Sequence, residues 1–293
     1  MGRYLALVAG VLATAVPAWA VDVSLCDQVV PAGQVGEVVA DLDCQSNAFA
    51  AAVHLDQNAK LRLNGHRIVG PTGGGNVIEI PLSGRIEGPG EIAGGAGALG
   101  ACVSADGAML TVDGGDPGID IHGCQAGINV VNGKAKLTNV SLHNNVGPGA
   151  FALRLQATNV SATGNGAQGL NADNLKAVNV TASGNTLFGL GGRRVLVLGG
   201  TLNGNGRFGI SSLDGHVTAH DLTITASGEV GVLGGGKTKI VLKDSSVTGT
   251  GSGTGVFPPN TDIFAAVKRP VLVNSVCGKS VGPAGTWGIC QND

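Results

Sequence analysis

The chain has 293 residues, 51 of them glycine, with 43% apolar positions, only 13% charged positions and a formal net charge of −2. So sparse and balanced a charge excludes a broad polyelectrolyte field, and it argues against nucleic acid as a partner, whose binding needs a concentrated basic face. High apolar content with sustained periodicity excludes a low-complexity unfolded chain and predicts one elongated domain with a packed core.

Residues 1–20 read as a signal peptide: Arg3 supplies the basic start, Leu5 to Val16 the short apolar stretch, and Ala18-Trp19-Ala20 the small-x-small cleavage site. The mature chain is expected to begin near Val21, secreted or periplasmic. The leader is too short to span a bilayer and no later stretch is apolar enough, so no transmembrane segment is expected after cleavage. Without Arg3, 17 basic residues face 20 acidic ones, a net charge of −3.

Residues 21–60 are expected to form an N-terminal cap and first strand, 61–256 a repeated body, and 257–293 a C-terminal cap. The body is marked by Gly127, Gly149, Gly169, Gly189, Gly209, Gly231 and Gly255, separated by 22, 20, 20, 20, 22 and 24 residues. Intervals this short, with β-type alternation inside each unit, are coil lengths of a solenoid whose turns bury their apolar faces against each other. Runs such as Ala177-Val178-Asn179-Val180-Thr181 and Leu222-Thr223-Ile224-Thr225 alternate as strands with one face inward. Each repeat glycine is read as a bend that supplies φ > 0 and, lacking a side chain, lets coils approach.

Three units carry one phrase: NVSLHNN from Asn139, NVSATGN from Asn159 and NVTASGN from Asn179. Stacked coils would bring Asn145, Asn165, Asn185 and Asn205 into an amide ladder along the axis. A second series runs through Asn139, Asn159 and Asn179 and, in looser register, Asp221 and Asp244. The N-x-S/T triplets follow from the repeat, since glycans at one-coil spacing would collide.

Six cysteines allow 15 pairings. Cys102 and Cys124 lie one coil apart, which favours a bond between stacked neighbours, with Cys26–Cys44 and Cys277–Cys290 tying down the ends. Without a CxxC pair or clustered histidines, no metal site and no cofactor is expected.

The phrase LRLNGHRIVG from Leu61, a preceding DLDC, GPGEI in the next coil and the terminal CGKS with GTWGIC resemble bacterial exported right-handed parallel β-helix proteins, relatives of the pectate-lyase-like superfamily. The resemblance implies a fold and carries little about activity. With the spacing, it predicts an all-β, single-stranded right-handed parallel β-helix of about nine or ten coils with disulfide-tied caps.

Candidate chemistry follows from stacking. Five residues after successive repeat glycines stand Asn132, Arg154, Asn174, Arg194, Asp214 and Gly236; four after stand Asp173 and Arg193; seven after stand Lys176 and His216. The candidate stripe is therefore Arg154, Asp173, Arg193, Arg194, Asp214 and His216. Its arginines could clamp carboxylates or sulfates, and His216 or Lys176 could take the proton α to a carboxylate that β-elimination requires. The competing reading is a solvated ladder of Arg/Asp pairs, like Arg207 with Glu229. His66 in LNGH is read as a turn residue. Asp120 and His122 in GIDIHG resemble the Asp-Pro-His element of alginate epimerases on this fold, with Ile121 in place of the proline, and are read as strand and turn.

Two function classes remain. The first is a non-catalytic protein binding an acidic polysaccharide or another envelope protein. The second is a polysaccharide lyase or epimerase acting on uronates. Trp287 is the only tryptophan or tyrosine outside the leader, which argues against a long neutral-glycan groove.

Overall fold

The computed structural model describes residues 19–46, 49–107, 109–251, 256–291 and 293. Most of the leader and Gly255 lie outside them. The described chain is all β, a parallel β-solenoid of about 10 turns without a helix. No helix is long and apolar enough to cross a membrane.

Each turn contributes to three stacked parallel sheets. The first runs from Gln28–Val30 to Ser280–Gly282, the second from Ala20–Val23 to Val271–Val273, and the third from Leu42–Asp43 to Val276–Cys277. Parallel pairing thus continues through both segments read as caps. An antiparallel pair, Ser280–Gly282 with Gly285–Thr286, closes the C-terminal end.

The strand Leu170–Ser183 shows why this sequence winds. Leu170, Ala172, Leu175, Ala177, Val180 and Ala182 are buried, and the alternation slips at two corners. One corner is at Asp173–Asn174. At the other, Asn179 adopts φ 51°, as Asn159 and Asn139 do one and two coils earlier at 53°. Asparagine tolerates this left-handed conformation better than most residues. The chain can therefore turn without losing inward period, and side chains of like size stack: Leu155, Leu175, Val195, Val217 and Ile240 follow one another inside the second sheet.

The inner asparagines form the third corner. Asn145, Asn165, Asn185 and Asn205 are buried, and each Oδ1 from Asn165 to Asn205 accepts both the backbone N–H and the Nδ2 of the asparagine before it, at 3.0–3.2 Å. Their Nδ2 groups also donate to Leu142, Ala162 and Ala182 carbonyls. Every polar atom brought inside is thereby satisfied, as burial demands.

Beside this ladder the expected role of the repeat glycines needs correcting. None of Gly127, Gly149, Gly169, Gly189, Gly209 or Gly231 has positive φ. A Cβ on Gly169 would lie 2.6 Å from the Gly189 carbonyl oxygen and 2.9 Å from Asn185 Nδ2. Close approach of ladder and coil, not backbone handedness, requires glycine here.

Three disulfides are formed: Cys26–Cys44, Cys102–Cys124 and Cys277–Cys290. Cys102 and Cys124 have Cα atoms 5.4 Å apart on consecutive turns.

Candidate functional site

Charge on the outer face of the second sheet changes character along the axis. In the N-terminal coils it is paired. Arg62 bridges Glu37 at 2.7 Å and Glu87 at 3.1 Å, and Glu87 also receives Lys60 at 3.3 Å and Arg85 at 2.8 Å. Hydrogen bonds from Glu87 and then Glu37 push the Arg62 guanidinium above its usual value. Partial burial raises the Glu87 carboxyl, but its bonds from Arg62 and Lys60 outweigh that and hold it below the usual carboxylate value.

From residue 134 onward the pattern reverses. Six consecutive rungs, 134–138, 154–158, 174–178, 194–198, 216–220 and 239–243, contain no aspartate or glutamate. Register aligns Lys134, Arg154, Asn174, Arg194, His216 and Lys239 in one row, all but Asn174 exposed. Lys136 and Lys176 stand two residues along, on the same face, and Lys243 closes the last rung. Among the described residues none of these cations has an ion pair; Arg194 Nη1 donates to Asn174 Oδ1 at 3.3 Å. At roughly 4.8 Å per rung the row spans about 24 Å. A shallow groove of about 390 Å³ runs between Arg154, Lys176, Arg194 and His216.

The stripe expected from glycine spacing is therefore redrawn. Arg154, Arg194 and His216 share the row, but Asp214 does not. In the 22-residue coils two extra residues are absorbed at the corner between the first and second sheets. Val131-Asn132-Gly133 stands where the next coil has Leu153 alone, and Ser212 to Gly215 stands where the coil before has Gly192 and Arg193. Asn132 and Asp214 accordingly take corner conformations, φ 56° and 54°, and yield their places to Lys134 and His216. Asp214 Oδ1 accepts the Lys237 N–H at 3.0 Å. Asp173 and Arg193 sit at the same corner and, with Asn174 and Arg194, line a recess of about 60 Å³ without pairing to each other. The row is left with cations and no carboxylate, so a ladder of Arg/Asp pairs does not describe it. Arg207 does pair with Glu229, through Nε at 2.7 Å and Nη2 at 3.3 Å.

The third sheet carries a second polar cluster. Asp120 and His122 point outward from the strand Ile119–His122, and His143 is the register partner of His122 one turn on. The two imidazoles stack with centroids 4.8 Å apart. His122 Nε2 lies 3.0 Å from Glu91 Oε1, and His143 Nε2 lies 2.8 Å from Asp120 Oδ1. Beside them a groove of about 870 Å³ is lined by Asp116, Asp120, Asn139, Ser141, Asn159 and Ser161. His66 lies apart, in a turn whose Asn64 and Gly65 have φ 54° and 84°, with Nδ1 3.3 Å from Asp41.

Glycine spacing overlooked Lys134, Lys239 and Lys243, although K-x-K at 134–136 and K-x-x-x-K at 239–243 place like charges on one strand face. It also overlooked His143, 21 residues after His122 and thus one coil on. No protein-family model matches the chain, and no curated protein matches it.

Proposed function

We propose that this is an exported solenoid that binds an acidic polysaccharide along the cationic row of its second sheet, holding the polymer without transforming it. The observation that carries this reading is the run of six rungs free of carboxylates, on which lysine and arginine side chains stand unpaired at rung spacing. A rigid β-sheet fixes these charges along a line, so a polymer with regularly spaced acid groups gains several contacts for one ordering cost. Arginine adds bidentate recognition of carboxylate or sulfate. The leader-like residues 1–20 and three disulfides support an oxidising compartment, secreted or periplasmic. Aromatic side chains that would stack bases are missing from these six rungs, which favours a glycan over nucleic acid.

The test is equilibrium binding of polygalacturonate, alginate and a sulfated glycosaminoglycan to the wild type and to an R154Q/K176Q/R194Q/K239Q variant across a salt series. Binding that weakens with salt and is largely lost in the variant supports the proposal. No binding at low salt, or equal binding by the variant, overturns it. Unsaturated-uronate absorbance appearing with any polymer, and abolished by Arg194→Ala, would establish the lyase reading instead.

A further inference from the structure

We propose that Asp120, His122 and His143 form a divalent transition-metal site, with Zn²⁺ the ion best matched to the donors. Two imidazoles and one carboxylate are the donor types that zinc and its neighbours in the transition series take up, whereas Ca²⁺ and Mg²⁺ select oxygen alone. One donor atom from each residue lies within 4.8 Å of the others. Donors bonded to one zinc ion stand about 3.4 Å apart, given bonds near 2.0–2.1 Å, so the gap to close is about 1.4 Å. All three side chains are partly exposed, His122 at 26%, His143 at 27% and Asp120 at 45%, and can close it by rotation alone.

A second observation points the same way. Asp120 Oδ1 is shut off from solvent and accepts no hydrogen bond, although His143 Nε2 approaches it to 2.8 Å, out of line for one. A buried carboxylate oxygen without a partner is costly. A cation held between it and the imidazoles would satisfy it. The surroundings supply orienting contacts too: Glu91 lies 3.0 Å from His122 Nε2 and is itself held by Arg67 at 2.8 Å, and the Asn144 amide meets His143 Nδ1 at 3.0 Å. Such outer contacts fix the rings of metal-binding histidines.

The site follows from winding. Asp120 and His122, two apart on one strand, share a face, and His143 joins them because the intervening 21 residues make one turn. Three protein donors leave at least one coordination position for water or an anionic oxygen. Asp120 lines the groove of about 870 Å³, so a ligand held there would lie beside the ion.

The experiment uses untagged, disulfide-intact protein freed of metal by chelator dialysis, titrated calorimetrically with ZnCl₂ and followed by visible absorbance with CoCl₂. One equivalent of Zn²⁺ per chain is expected, with Co²⁺ giving ligand-field bands. D120N, H122Q and H143Q should each weaken binding more than about 10-fold, and E91Q by about 10-fold, as an orienting contact does. H54Q and H216Q should bind like the wild type. Circular dichroism of each variant verifies the fold. Absence of stoichiometric binding, or binding by H143Q and D120N equal to wild type, overturns the site and leaves two stacked histidine–carboxylate pairs.

Discussion

Replacing Asn185 by alanine isolates the polar ladder. Its Oδ1 accepts the Asn165 N–H at 3.1 Å and the Asn165 Nδ2 at 3.0 Å, and its Nδ2 donates to the Ala162 carbonyl and to Asn205 Oδ1, each at 3.0 Å. All of this happens at 1% exposure. Alanine removes these bonds and leaves the Asn165 backbone N–H buried without an acceptor. An orphaned buried donor costs about 1–3 kcal/mol and each further bond about 0.5–1.5, so Asn185→Ala should destabilise by about 3–6 kcal/mol. The control is Asn159, an exposed asparagine of the same repeat phrase, bonded through Nδ2 to Asn139 Oδ1 at 3.0 Å and holding φ 53°. Asn159→Gly keeps the backbone conformation available and should cost about 1 kcal/mol or less. Urea midpoints from far-UV circular dichroism compare the two. N165A/N185A should cost less than the sum of its single variants, because the pair shares a bond. Equal midpoints for N185A and N159G would refute the reasoning.

Gly169→Ala should destabilise by about 1–3 kcal/mol through overpacking, and Gly169→Asn by at least as much; if positive φ were the constraint, asparagine would rescue, so thermal melts of the two decide the point. Because the folded Glu87 carboxyl is held below its usual 4.5, its contribution is complete above that value and is lost as pH falls through the lowered one. Urea midpoints measured at about pH 5 and about pH 3 should therefore fall less in Glu87→Gln than in the wild type. Replacing Cys102 and Cys124 together by alanine opens a loop of 22 residues, for which chain entropy gives about 3.4 kcal/mol; chemical denaturation without reductant checks it, and no loss of stability would contradict the entropic argument.

Coil length, the inner ladder and the cross-coil cysteine pair were legible because each rests on sequence separation alone. Asn165 and Asn185 are 20 apart wherever the turns fall, and a turn of 20 must stack them. Where a longer coil stores its extra residues is a different matter. Both 22-residue coils absorb theirs at the first corner, at Val131-Asn132-Gly133 and around Asp214, and this moves Asp214 out of the row and His216 into it. A spacing count cannot see that choice, because either corner satisfies it. The net charge concealed the same feature. Acids accumulate on the N-terminal rungs and at the corners, and the rungs from 134 to 243 keep the bases. Likewise, the irregular coil from Gly100 to Cys124 gave no alignment to pair His122 with His143.

The central claim is one of register: Arg194 is the neighbour of His216, and Asp214 stands outside the row. Two double-cysteine variants test it, R194C/H216C and R194C/D214C, oxidised under mild conditions and mapped by peptide mass spectrometry with the three native disulfides as internal reference. Stacked parallel neighbours fall within the Cα separation of about 4.4–6.8 Å that a disulfide accepts. The account predicts a rapid bond between residues 194 and 216 and little between 194 and 214. Preferential linkage of 194 to 214 would return a carboxylate to the row and contradict the acid-free cationic face.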